Sequence, residues 1–388
     1  MKIHRVKEKE SVYSIAKEYT SFKERIIEDN GVLRPDVLRV GRELLISTPT
    51  RTYTVREGDT VKMICRRFLI SENELIRKNP SILKNGLYRG QVLSLKCDTP
   101  PYSTAFSLGY FYKGTRIEDL SLALFYLSYI AVAAARVEGD DVRLTFDDTE
   151  AVKRTLNSGK IPLLRLYSDT GDALLTKTHI DTAILLLKSH GYQGLCLAVS
   201  GISDFEGYSR FLHDLKATLI EYGLMLFVEL DKNIEGEICD YYDGAILSYS
   251  KLHLKNPPSF EDGEYKIFSD FANKNESSKG FIDLTPGAFF GGRFIDYREL
   301  LPLFENGDGE IYYDEKTKLS SLDLPVSARA RRDGERVIFE SLENLKAKLS
   351  LIEELGFMGG AFDIARTPVS YFLILSYCFR SGGALNLY

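Results

Sequence analysis

The sequence predicts an α/β protein, a (β/α)8 barrel of the TIM type preceded by two small β-α-α-β modules. Three observations carry this. The chain superposes on itself without a gap at an offset of 49 residues over its first 97, and self-similarity at a fixed period marks tandem copies of one supersecondary unit. Residues 97–101, Cys-Asp-Thr-Pro-Pro, then interrupt the pattern with two prolines. Beyond them, apolar strands alternate with amphipathic helices over about 290 residues, which implies a parallel sheet; about eight such units in one domain suggest a closed barrel. The expected divisions are 1–48, 52–97 and 103–388.

Within the repeat, Val6 pairs with Val55, Ile15 with Ile64, Tyr19 with Phe68, Asn30 with Asn79, Gly41 with Gly90 and Leu44 with Leu93. Each copy opens on a short β run, 3–6 or 52–55, and a turn. Ser11 or Thr60 then stands as an N-cap before apolar residues at helical spacing, Val12, Ile15, Tyr19 and Val61, Ile64, Phe68. After a second helical stretch, Gly41 or Gly90 supplies a turn, and a closing strand follows at 43–47 or 91–95.

This pattern resembles the LysM family, which opens YTVxxGDT, places Asn-Pro after the second helix and closes VGQxLxIP. The second copy carries it almost verbatim, as YTVREGDT over 53–60, Asn79-Pro80 and RGQVL over 89–93. The first copy is degenerate, with Lys9-Glu10-Ser11 for Gly-Asp-Thr and Asn30-Gly31 for Asn-Pro. The resemblance implies binding of an N-acetylated glycan, peptidoglycan or chitin-like, in a groove between the first strand–helix loop and the second helix–strand loop. Gly58, Asp59, Thr60, Asn79, Pro80 and Ile82 would line it, with Ser11 and Asn30 at equivalent places in the first copy. Taken singly, Asp59, Thr60 and Asn79 are equally caps and turn formers.

In the second part, strands are expected at 105–112, 127–137, 161–169, 192–200, 224–230, 242–250, near 281–287 and at 358–364. Helices are expected at 117–125, 149–159, 179–191, 208–223, 341–356 and 368–380. Reactive groups of such a barrel belong at the C-terminal ends of its strands.

The order of these strands and four local segments resemble glycoside hydrolase family 18, in the branch joined to N-terminal LysM repeats in spore-associated cell-wall lytic enzymes. Residues 191–200, GYQGLCLAVS, stand where that family has GYDGxDxDxE, and 243–249, DGAILSY, where it has a sixth-strand MxYD. Residues 337–342 fit the segment before the last helix, and 359–364 the closing strand. The family's reaction is substrate-assisted. A glutamic acid protonates the glycosidic oxygen, the substrate's own N-acetyl carbonyl attacks, and an aspartate two residues earlier steadies the cation.

The departures bear on that chemistry. Alternate strand residues share a face, so the last three acidic positions of the motif point to the substrate together. Here Cys196, Ala198 and Ser200 hold them, and Gln193 replaces the first aspartate. A serine hydroxyl is too weak an acid to replace a carboxylic acid, and loss of general acid catalysis alone costs roughly 10²–10⁴-fold. Tyr249, which the resemblance makes an acetamido-binding residue of the cleft, is kept, but Ser250 follows it, and the chain has no tryptophan. Glu229, Asp231, Asp283 and Asp363 are predicted to lie toward the catalytic rim. Two of them could form a remodelled pair at about 5–9 Å, or they cap helices and pair with bases such as Arg293 or Arg366. Asp204 and Glu206 read as first-turn helix acids.

Composition narrows the classes. Fifty basic against fifty-five acidic residues offer no footprint for nucleic acid. No apolar run is long enough to span a bilayer, and the first residues lack the apolar segment of a Sec leader, so the chain reads as made in a cytoplasm. Five widely spaced cysteines read as reduced thiols. The five histidines form no HxxxH or HExxH pair, so no metal or other cofactor is implied. The leading expectation is a glycan-binding, non-catalytic wall protein, deposited on a spore or cell wall by analogy with the resembled enzymes. Two others stay open: a divergent glycosidase acting on N-acetylglucosaminyl linkages through relocated carboxylates, and a scaffold for assembly of a spore outer layer.

Overall fold

A computed structural model describes residues 1–97, 103–169, 171, 174–231, 241–248, 254–305, 309–324 and 336–381. Each repeat is a two-stranded antiparallel sheet against helices. Repeat 1 pairs Lys2–Arg5 with Glu43–Ile46 around helices Val12–Glu18 and Lys23–Asn30. Repeat 2 pairs Pro49–Thr54 with Val92–Cys97 around Val61–Phe68 and Glu72–Lys78, and adds a short helix, Ser81–Asn85. The helices start where the caps predict: the hydroxyls of Ser11 and Thr60 accept from the amides of Ser14 and Met63. Val12, Ile15 and Ile64 are buried in cores made by each repeat alone.

The larger unit is a closed barrel of eight parallel strands. We label them β1 (Ser103–Phe111), β2 (Tyr129–Glu138), β3 (Ile161–Ser168), β4 (Gly194–Val199), β5 (Met225–Asp231), β6 (Gly244–Ser248), β7 (Gly280–Asp283) and β8 (Gly359–Asp363). Each pairs with the next, and β8 pairs with β1. Period-two geometry sends one set of side chains inward. Leu108, Tyr129, Leu163, Cys196, Phe227, Ile246, Phe281 and Ala361 fill the interior as a packed core of their own. The other set meets the surrounding helices in the main core.

Between β7 and β8 the chain builds an insertion that the sequence reading passes over. Its five antiparallel strands, in spatial order Arg293–Asp296, Gly287–Phe290, Arg336–Glu340, Leu319–Asp323 and Ile311–Asp314, pack on helix Tyr297–Glu305. A buried ionic cluster ties it to the barrel. Lys348, on helix Leu342–Glu354, lies 2.8 Å from Glu264 and against Glu340, whose other oxygen accepts from the amide of Gly287 at 2.7 Å. Repeat 1 is joined to the same body, since Leu45 belongs to the main barrel core. No described helix is long and apolar enough to cross a membrane.

Candidate functional site

At the barrel mouth the inward register continues beyond the apolar floor with Tyr110 on β1, Arg165 on β3, Ala198 on β4, Glu229 on β5, Ser248 on β6, Asp283 on β7 and Asp363 on β8. Arg165 and Glu229 meet across the mouth in a fork, Nε to Oε1 at 2.6 Å and Nη2 to Oε2 at 2.7 Å. Paired N–H···O bonds of this kind join charge assistance to fixed geometry. The guanidinium also stands 5.7–5.8 Å from the ring centres of Tyr110, Tyr112 and Tyr167. Burial works against the charge on Arg165, but Glu229 outweighs it and holds the group more firmly protonated than usual. Burial, with Glu229 nearby, pushes the Cys196 thiol and the Tyr110 phenol well up, so both keep their protons.

Two cavities flank the pair, and Glu229 and Ser248 line both. One, of about 190 Å3, is walled by Tyr167, Ala198, Ser200, Ile202 and Phe205. The other, of about 280 Å3, lies among Tyr112, Asp283, Thr285, Asp296, Asp363 and Arg366, closed on one side by the insertion. Asp363 is buried. Its Oδ1 accepts from the Ala365 amide at 2.9 Å and its Oδ2 is 3.2 Å from Arg366 Nε. Burial raises its pKa, partly offset by Arg366, with Asp283 adding to the rise. Asp283 accepts from the Thr285 amide at 2.9 Å.

Of the positions aligned with the acidic motif, Cys196 and Ala198 are buried facing the barrel axis, Ser200 stands exposed at the rim 3.5 Å from the Tyr167 hydroxyl, and Gln193 sits before β4 at the opposite end. Asp231 ends β5 in register with Ser248, but its side chain and the whole of Tyr249 lie outside the described residues. Asp204 caps helix Phe205–Glu221, and Arg293 pairs with Glu299. Among the described residues no group of three or more His, Cys, Asp or Glu could hold a metal ion. The sequence reading missed Arg165, although its signal was there: a charge at an inward position between Leu163 and Tyr167 of an otherwise apolar strand.

In repeat 2 the loop before the first helix turns at Gly58 with φ +80°. The Asp59 carboxylate accepts from the Tyr53 hydroxyl at 2.6 Å and the Arg56 amide at 2.7 Å, which together hold its pKa below the usual range. Repeat 1 builds the same loop from other residues. Lys9 takes the left-handed turn at φ +64°, and Glu10 accepts from the Lys7 amide and meets His4 Nε2, each at 2.7 Å. Asn79 is a buried bracket. Its amide donates to Leu75 O and Ser94 O and accepts from the Ser94 amide and Arg25, so no hydrogen bond is left over. Asn30 brackets Ile26 and Leu45 in the same way. Gly58, Thr60 and the segment 83–86 are exposed around Ile82, which is buried, and Pro80 opens the short helix.

The fold is a chain of two β-α-α-β repeats before a (β/α)8 barrel, and the comparisons agree. Residues 4–47 and 53–96 match the LysM domain model. No curated protein matches the chain by sequence. Among solved structures, the spore cortex-lytic enzyme SleL of Bacillus megaterium is similar over 99% of this chain and 99% of its own, with a TM-score of 0.74 and 18% identity. SleL of Bacillus cereus is similar over 98% of both chains, again at 0.74 and 18%. A chitinase from Chromobacterium violaceum matches 71% of this chain and 100% of its own, at 0.61 and 13%. Residues 4–47 and 53–96 are thus LysM domains, and the chain shares the whole architecture of the SleL structures.

Proposed function

We propose that this chain is a wall-binding protein: its LysM domains hold the N-acetylated glycan of peptidoglycan, and its barrel does not cleave that glycan. The observation that carries the second half is the Arg165–Glu229 fork. Among the described residues Glu229 is the carboxylate that reaches both cavities of the mouth, and both its oxygens are engaged by one guanidinium. A carboxylate so held is placed as an acceptor, whereas glycoside cleavage needs a donor at the leaving oxygen. The strand-end positions beside it, Cys196, Ala198 and Ser200, offer no carboxylic acid. The LysM domains and the likeness to spore cortex-lytic enzymes support a site of action on a spore or cell wall.

A second reading has an observation of its own. Asp363 has a raised pKa and shares its cavity with Asp283, and an upward shift is the direction a general acid requires. In this reading the chain is a remodelled glycosidase acting on N-acetylglucosaminyl linkages.

One assay separates the two. The full chain is incubated with purified spore cortex and with vegetative peptidoglycan across a range of pH, and bound protein and released fragments are measured in the same tubes. Protein in the pellet without soluble fragments is the expected result. Fragment release that disappears in Asp363→Asn would overturn the non-catalytic reading in favour of the second.

A further inference from the structure

Aligned at their offset of 49, the two repeats share a skeleton and part company between the second helix and the closing strand. In repeat 2 this stretch folds on itself as helix Ser81–Asn85. The Ile82 amide donates to Asn79 O at 3.0 Å and the Leu83 amide to Pro80 O at 3.1 Å. In repeat 1, Gly31 turns left-handed at φ +58° and no helix follows before the closing strand. The amides left over are taken by the insertion: Leu33 and Arg34 donate to the two oxygens of Glu305 at 3.4 and 3.1 Å.

The rest of the same stretch clamps the same place. Arg42 Nη1 lies 2.6 Å from Glu305, with both side chains buried. Arg39 donates to the carbonyls of Leu303, Phe304 and Gly309 at 2.8, 3.3 and 3.0 Å. These include terminal carbonyls of helix Tyr297–Glu305, which have no partner inside the helix. A glutamate in the last turn of a helix opposes the helix dipole, and the two arginines explain how Glu305 is tolerated there. The Ile311 amide donates to Val40 O at 2.9 Å, so close that a Cβ on Gly41 would lie 1.8 Å from Ile311 O. The counterparts in repeat 2 face nothing of the kind. Tyr88, in place of Arg39, is 45% exposed, and a Cβ on Gly90, in place of Gly41, would meet nothing.

From this we infer that the repeats have divided the work: repeat 2 alone takes the glycan, and the glycan-side loop of repeat 1 is a docking element whose backbone amides are occupied by Glu305 of the barrel insertion. The inference rests on the glycan reading given above. It makes the chain monovalent, with no gain from a second tethered module. It also holds the insertion from behind, at the element whose other end closes the 280 Å3 cavity at Phe294, Asp296 and Glu299.

The test uses the full chain and a purified oligosaccharide of N-acetylglucosamine, followed by calorimetric titration and amide hydrogen exchange. One equivalent is expected to bind, with protection gained at 58–60 and 81–83, and with the amides of 31–34 protected beforehand and unchanged. In Glu305→Gln, exchange at Leu33 and Arg34 should rise about tenfold or more while the titration stays as in the parent. New protection at 31–34 would overturn the division of labour and leave the glycan reading standing. No protection in either repeat would remove the glycan reading, and the assignment to repeat 2 with it.

Discussion

Repeat 1 and repeat 2 carry one fold on two sets of residues, and what they keep separates structural need from ligand need. Both keep the asparagine bracket: Asn30 and Asn79 each join the second helix to the closing strand by the same hydrogen bonds. Both keep a left-handed residue before the first helix, Lys9 or Gly58, and another after it, Thr20 or Leu69. Both keep an acid that accepts a backbone amide in the first loop, Glu10 or Asp59. They differ at the surface beyond Asn30 and Asn79, which in repeat 1 is committed to the barrel and in repeat 2 is exposed over 83–86, where Asn85 alone reaches across to Glu28 of repeat 1 among the described contacts. Asparagine in this motif is therefore a mark of the fold, and it does not by itself mark a groove that is free to bind.

The largest test of this contrast exchanges the docking arginine for its counterpart. Arg42→Ala leaves the buried Glu305 carboxylate with two backbone amides and no cation, and breaking such a pair costs roughly 3–5 kcal/mol. Gln91→Ala, at the same place in repeat 2, removes a weak contact to the Tyr88 amide at 3.4 Å and should cost about 1 kcal/mol. A chain of several units need not unfold in one step, so the reporters are the amides of Leu45 and Ser94. These are equivalent positions, each donating to its own asparagine, and their exchange reads local opening. Equal losses at the two sites would show that repeat 1 is no more bound to the barrel than repeat 2 is to solvent.

Much of this molecule is legible in the sequence because it depends on local chemistry. Caps at Ser11 and Thr60, turn glycines at Gly41 and Gly90, and period-two strands such as 161–169 fall where their residues put them. The insertion was not legible. Its strands run four or five residues, too short for periodicity to separate strand from loop. The docking was hidden for another reason. Arg39 and the carbonyls it caps are more than 260 residues apart, and a lone arginine in a loop reads as solvated surface. In the barrel, the period-two pattern of β5 points Glu229 to the mouth, but Arg165 is its partner only because a closed barrel faces β3 toward β5 with β4 between them.

A middle-sized test concerns the first turn. Lys9 sits at φ +64° where repeat 2 has Gly58 at φ +80°. A side chain in the left-handed region costs about 1–2 kcal/mol, and nothing within 4 Å crowds Gly58. The conformation alone should decide the outcome. Lys9→Gly should stabilise repeat 1 by about 0.5–1 kcal/mol, since the greater freedom of glycine when unfolded offsets part of the relief. Gly58→Lys should destabilise repeat 2 by about 1–2 kcal/mol. The same exchange reporters would record opposite signs. A shared sign would mean that the loops differ in more than the residue at the turn.

The smallest effect lies in the acid of each first loop. The Tyr53 hydroxyl, followed by the Arg56 amide, lowers the pKa of Asp59. Burial works upward on Glu10, but the Lys7 amide and His4 outweigh it, so its pKa is lowered too. A carboxylate with a lowered folded pKa contributes stability that is present above its unfolded value, and that contribution is lost as pH falls through the folded one. Both loops should therefore hold at neutral pH and loosen below the ordinary values of 3.8 for Asp59 and 4.5 for Glu10. Tyr53→Phe removes the largest cause in repeat 2 alone. By NMR titration of the carboxyl carbons, the Asp59 midpoint should rise toward its ordinary value while that of Glu10 stays put. An unmoved Asp59 would shift the credit to the Arg56 amide, leaving the backbone turn, common to both repeats, as the feature that sets the charge of the loop.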